Sequence, residues 1–236
     1  MTAIDCTGRT IREINSGLKE RIAAGETEIE LLHPGARHNL AVAVLAQATV
    51  RIRGSAGYYC GGLSDGATVE IDGSAGWGLA ESMLSGTVVV RRNAGNGAAA
   101  AIRGGTVVIH GNAASRLGVS MKGGLVLVGG NCDYMAGFMG QKGTMIICGD
   151  AGEAFADSMY STVCLVGGKV ADLGNDAVIE PLSDEDVALI ESSLAKHFGE
   201  EERRAKPPAR EFKKVVAGKK LWNFSHRDWK TWQEAL

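Results

Sequence analysis

The residues able to do chemistry are few in this sequence and widely spread. The histidines stand at His33, His38, His110, His197 and His226, and no two of them pair at metal-ligand spacing. The cysteines, Cys6, Cys60, Cys132, Cys148 and Cys164, are odd in number and contain no C-x-x-C pair. They read as free thiols of a reducing cytoplasm rather than a disulfide frame or a metal site. Asp65, Glu81 and Asp157 fall in no common column and make no paired-carboxylate site. A strand-like "TVVV" followed by Gly95-x-Gly97-x-x-Ala100 superficially matches a dinucleotide loop. Such a loop needs a helix next and an acidic residue about 20 positions on. Here a new strand follows, and no Asp or Glu stands between Glu81 and Asp133. The reading is therefore no catalytic residue, no metal and no cofactor on this chain.

What must position these residues is visible in the glycines. Of 236 residues, 33 are glycine and only 4 proline, in a chain 45% hydrophobic and 22% charged with a net charge of −2. That balance points to neither a nucleic-acid groove nor a membrane surface. No apolar run is long enough to span a bilayer, and the first residues do not read as a secretory signal.

Laid out in nineteens, the chain repeats itself from residue 30, with starts at 30, 49, 68, 87, 106, 125 and 144 and a partial eighth at 163. The sixth position holds Gly35, Gly54, Gly73, Arg92, Gly111, Gly130, Gly149 and Gly168; the second runs Leu31, Val50, Val69, Val88, Val107, Val126, Met145, Cys164; the fourth begins with His33 and Ile52. A fixed period with about five alternating residues and then a glycine is a short strand and a corner, stacked on itself. The predicted fold is an all-β solenoid, a single-stranded right-handed parallel β-helix of seven to eight turns. The second, fourth, eighth, twelfth and sixteenth positions (the last including Leu45) are expected to point inward. The corner glycines Gly54, Gly73, Gly111, Gly130 and Gly149 are expected to supply backbone angles that other residues resist.

Outward positions carry the candidate contact surfaces. The third position becomes apolar at Val89, Val108, Leu127, Ile146 and Leu165, a stripe that needs a cover from this chain or a partner. The fifth, Arg53, Asp72, Arg91 and His110, suits a solvated charge ladder. Cys148 is the one thiol in an outward column, open to reaction or buried under a partner. Residues 10–24 predict a capping helix with a Thr10/Glu13 box. Residues 183–198 predict a helix N-capped by Ser183 whose Val187, Ile190 and Leu194 could cover part of the stripe. The charged stretch from 199 reads as an extended linker. The tail concentrates Trp222, Phe224, Trp229 and Trp232, which anchor on the chain's own rod or dock another subunit. The expected segments are a cap at 1–29, the β-helix at 30–181 and a helix with docking tail at 182–236.

The G-x-x-G-x-G phrases, "GSAGWG" (Gly73, Gly76, Gly78) and the shorter "NAGNG" (Gly95, Gly97), resemble the GXGXG domain, which ends the large subunit of glutamate synthase and also forms part of formylmethanofuran dehydrogenase. The resemblance covers about residues 30–180. It implies a structural role, holding an amidotransferase and a flavin-containing part in register, with no catalytic residue. A free-standing chain of this length, with a helix before the repeat and "EFKKVVAGKKLWNF" towards its end, is most similar to the separate β-helix subunit of split glutamate-synthase-like systems, such as N-methylglutamate synthase (methylamine plus glutamate to N-methylglutamate) and the GlxC-type proteins. That implies an amidotransferase-like partner, and a second partner carrying FMN and an iron–sulfur cluster. The alternatives are a scaffold of a formylmethanofuran-type one-carbon complex, and a stand-alone β-helix enzyme acting on polysaccharide, which would need a charged groove along one face.

Overall fold

The computed structural model describes residues 2–220. Strand β1 (Thr2–Asp5) leads into helix α1 (Ile11–Ala23), and then the coil begins. Its strands are β2 (Glu28–Leu32), β3 (Thr49–Arg53), β4 (Thr68–Ile71), β5 (Thr87–Val90), β6 (Thr106–Ile109), β7 (Lys122–Val128), β8 (Lys142–Ile147) and β9 (Ser161–Val166). Each pairs in parallel with the next, giving a β-solenoid of about seven turns. Val50, Val69, Val88, Val107, Val126, Met145 and Cys164 form one vertical column. β10 (Ala177–Glu180), helix α2 (Asp184–His197), helix α3 (Glu200–Arg204), a 3-10 turn (Ala209–Glu211) and strand β11 (Lys213–Ala217) follow.

Strict alternation explains each strand: residues two apart face the same side, so second and fourth positions enter the core while first and third face out. A second ladder of single bridges joins Ala56, Ala75, Ala94, Ala113, Cys132, Ala151 and Val170. Small side chains there let opposite walls approach. The twelfth column alternates Cys60, Leu79, Ala98, Leu117, Ala136 and Phe155, all fully buried, so large residues of one turn fill space left by small ones of the next.

The third wall is not a strand. In every regular turn, positions eleven, thirteen and fifteen have positive φ: Tyr59, Gly61 and Leu63; Gly78, Ala80 and Ser82; Gly97, Ala99 and Ala101; Arg116, Gly118 and Ser120. Two overlapping turns result, with Glu81 N–H donating to Gly78 O and Met83 N–H to Ala80 O. Their left-handed third residue is that of a type II turn. The remaining amides bond to neighbouring turns, Ala80 N–H to Cys60 O behind and Ser82 N–H to Ala100 O ahead. Left-handed backbone costs a non-glycine residue about 1–2 kcal/mol; these inter-turn bonds and the buried thirteenth position offset it.

Three expectations are corrected. The first turn is irregular: Ile29 pairs with Val50 and Leu31 with Ile52, so two extra residues enter and His33 leaves the core column for the surface. Leu45 is consequently 68% exposed, and Val44 is buried. The stretch from 199 is no linker, since it forms α3, the 3-10 turn and β11. β11 inserts antiparallel between β9 and β10, so the sheet order ends β9-β11-β10. α1 keeps its predicted box, with Thr10 Oγ1 accepting from Glu13 N–H, and buries Ile14 and Leu18.

Candidate functional site

The outward apolar stripe is occupied from within the chain. Val108, Leu127, Ile146 and Leu165 are fully buried, and Val89 is partly buried at the stripe's end. They pack with Val187, Ile190, Leu194 and Phe198 of α2 and its C-cap, and with Ala209 and Phe212. α2 starts where expected because Ser183 Oγ accepts from Asp186 N–H while the Asp186 carboxylate accepts from Ser183 N–H. The same carboxylate takes Lys214 Nζ at 2.9 Å, tying the helix start to β11. Burial alone would raise the Asp186 carboxyl, but Lys214 and the Ser183 donors hold it below the usual aspartate range.

Two residues of the outward fifth position lie under this cover. Cys148 is buried in the same cluster, and burial pushes its thiol up to about 12. Burial does the same to Cys60 and Cys132, also to about 12, and raises Cys6 and Cys164. All five cysteines are free and buried, which makes them small hydrophobes rather than nucleophiles. His110 is not solvated. Its Nδ1 lies 3.0 Å from Glu202 of α3, its Nε2 3.1 Å from Arg91, and its ring meets Phe198 edge-on at 5.0 Å. A guanidinium can only donate, so Nε2 accepts and Nδ1–H donates to Glu202. The charge ladder is confined to the first turns, where Arg51 bridges Glu28 and Glu70 while Arg53 bridges Glu30 and Asp72.

The corner glycines act differently from expectation. Gly54 alone of the five has positive φ. At Gly73, Gly111, Gly130 and Gly149 the obstacle is the previous turn: a Cβ would lie 2.8 Å from Gly54 C, 2.8 Å from Arg92 O, 2.9 Å from Gly111 O and 2.8 Å from Gly130 C. Where Arg92 interrupts the column, its amide bond to Gly73 O lengthens to 3.2 Å, against 2.9 Å from Gly111 N to Arg92 O. Beside this column runs a ladder that the sequence columns above did not single out. The Oδ1 atoms of Asn93, Asn112 and Asn131 each accept the amide of the next turn's residue at 2.8 Å, and Asp150 continues to Lys169 at 2.7 Å. The signal stands at the seventh position, where Ser55, Ser74, Asn93, Asn112, Asn131 and Asp150 follow one another.

The exposed aromatics gather on the turn wall. At the tenth position Tyr58 and Trp77 stack face to face, and His38 of the irregular first turn extends the stack, with centroids 5.3 and 4.3 Å apart respectively. Each ring leans over the ninth position of the following turn, which is glycine: a Cβ on Gly76 would lie 2.6 Å from the Tyr58 ring and one on Gly95 2.7 Å from the Trp77 ring. Beyond Trp77 the tenth position is Asn96 and then Ser115, and the ninth positions that follow are Ala114 and Asp133; Tyr134 restores a ring, and Gly152 follows it. The ring at ten and the glycine at nine go together. The GXGXG phrase of "GWGLA" thus has two causes, close approach at Gly76 and left-handed backbone at Gly78 and at Ala80, which holds the third glycine's place. Where the rings are missing the wall is hollow, a cavity of about 470 Å³ lined by Trp77, Asn96, Ser115, Tyr134, Glu81 and Arg116.

Trp222, Phe224, Trp229 and Trp232 lie outside the described residues. Among the described residues no group of three or more His, Cys, Asp or Glu side chains could hold a metal ion, and no helix is long and apolar enough to cross a membrane.

The family model described as the GXGXG motif matches residues 36–205. The chain belongs to the GXGXG family. No curated protein matches it. Among solved structures it is similar to a chain of the formyltransferase/hydrolase complex (FhcABCD) from Methylorubrum extorquens, determined with methylofuran, at 26% identity and a TM-score of 0.62 over 75% of this chain and 69% of that one.

Proposed function

We propose that this GXGXG chain is a structural member of an enzyme complex built from several polypeptides, a rigid spacer that holds catalytic partners in register. The observation that carries the reading is the similarity, over three quarters of the chain, to part of such a complex. The chemistry of the residues agrees: the thiols are buried, His110 is engaged between Arg91 and Glu202, and the carboxylates of the first turns are paired with arginine.

Within that role we favour a split glutamate-synthase-like complex of the N-methylglutamate synthase type. Its partners would be an amidotransferase-like protein and a protein carrying FMN and an iron–sulfur cluster. The support is the resemblance of the glycine phrases "GSAGWG" and "NAGNG". A formylmethanofuran-type one-carbon complex is the second reading, favoured by the formyltransferase/hydrolase neighbour.

Mass spectrometry of the complex purified on a tag at this chain's N-terminus separates them. Under the first reading an amidotransferase-like protein and a yellow-brown flavin and iron–sulfur protein co-purify, and the flavin leaves with the partner on dissociation. Formyltransferase and hydrolase proteins in their place select the second. A chain that elutes alone at monomer mass, or that itself retains flavin, overturns the proposal.

A further inference from the structure

The hollow in the turn wall lies on the face from which the described chain departs. β11 ends at Ala217, and the next residues turn back onto the wall: Gly218 N–H donates to Asp176 O at 2.6 Å and Lys220 N–H to Asp176 Oδ1 at 3.1 Å. The neighbouring Asn175 accepts from Ser158 N–H, and Ser158 stands in the fifteenth-position column above Met139, Ser120 and Ala101. Lys220 is therefore three turns along the coil from Ser115 and four from Asn96, an axial rise of about 14 and 19 Å at strand spacing, with the width of the wall from the fifteenth to the tenth position to cross besides. Residues 221–236 follow, and carry Trp222, Trp229 and Trp232.

The hollow is a gap in an aromatic column. Trp77 is 53% exposed and Tyr134 44%, three turns apart, with only Asn96 and Ser115 between them. At about 14 Å that gap takes a further ring or two in the stack, and ring stacking adds to area burial. A Cβ built on Gly97 meets nothing within 4 Å, so the floor is open. Glu81 and Arg116 stand at the rim, and the residues beside Trp229 are Asp228 and Lys230, a complementary pair.

We propose that the chain's own C-terminal segment closes this gap, with the indole of Trp229 or Trp232 stacked between Trp77 and Tyr134. Reach decides which tryptophan. At up to about 3.5 Å per residue, Trp222 extends about 7 Å from Lys220 and falls short. Trp229 and Trp232 extend about 31 and 42 Å and reach with slack. The inference does not depend on the proposed function.

The test is photo-crosslinking of the full-length chain with a benzophenone amino acid replacing Trp222, Trp229 or Trp232 in turn, mapped by mass spectrometry. The expected result is a link at monomer mass from 229 or 232 to peptides holding Trp77, Asn96, Ser115 or Tyr134, and none there from 222. A companion chain with Asn96→Trp and Ala114→Gly fills the gap while obeying the ring-and-glycine pairing. It should lose those links while keeping the circular dichroism of the parent. Links to other parts of the chain, links at twice the monomer mass, links to another protein, or no link from either position would overturn the proposal. If the companion chain does not fold, the first mapping still decides.

Discussion

At the scale of single residues, the paired ninth and tenth positions make the sharpest claim. Gly95→Ala drives a methyl into Trp77 Cδ1 at 2.7 Å and into the Gly76 carbonyl carbon at 2.9 Å. It should cost about 1–3 kcal/mol, whereas Ala114→Gly, one turn on and facing no ring, should stay within about 1 kcal/mol. Because part of the clash is with a side chain, Trp77→Asn combined with Gly95→Ala should lose less than the sum of the two, read by chemical denaturation as a double-mutant cycle. The thiols give a second test. With burial holding Cys60, Cys132 and Cys148 near 12, a disulfide reagent at pH 8 should find no reactive cysteine in the native protein and all five after unfolding. Rapid labelling of Cys148 in the native state would mean that α2 does not lie over the stripe.

Single elements show how much the sequence reveals. The strands, the core columns, the Thr10 and Ser183 caps and the apolar face of α2 could all be read, because each rests on periodicity or a local hydrogen bond. The left-handed wall could not. Tyr59, Ser82, Ala101 and Arg116 take positive φ because inter-turn bonds require it, and nothing in their side chains announces it. β11 was hidden because "KKVVA" follows charged residues and pairs only with strands about 35 and 50 positions earlier in the chain. The cover over His110 is likewise a long-range contact, 92 residues apart. For α2 two outcomes follow. Ile190→Ala should destabilise by about 2–4 kcal/mol, the range for an aliphatic side chain removed from a core. The Asp186 carboxyl is held below its unfolded value, so its contribution is complete above about pH 4 and is lost as pH falls through the lower folded value. Acid should therefore loosen α2, seen as dye binding to the uncovered stripe. Asp186→Asn should lower stability at pH 7 by about 1–2 kcal/mol and flatten that acid response.

For the whole molecule, one turn contacts only the next, so stability spreads along the coil rather than residing in a central nucleus. Amide exchange should be slowest around β5 to β8, where both neighbours are present and α2 covers part of the outer face, and faster in the irregular first turn. Uniform exchange along the coil would contradict that picture. The sequence makes the arrangement of repeats plain but not their outer dressing, since a period reports what is common to all turns. The charge ladder, the helix cover and the aromatic stack are each confined to a few turns.

The two antiparallel pairings that end the sheet have a further consequence. A parallel coil could in principle grow without limit by laying one molecule's last turn against another's first, and such head-to-tail contacts build fibres. β11 runs against β9 and β10 against β11, so β10 points the same way as the coil, and direction alone would let it accept the first strand of another copy. What blunts that edge is its chemistry: β10 is four residues long, ends at Glu180 and is followed by Pro181, and a short strand closed by a charge and a proline is a poor template for another chain.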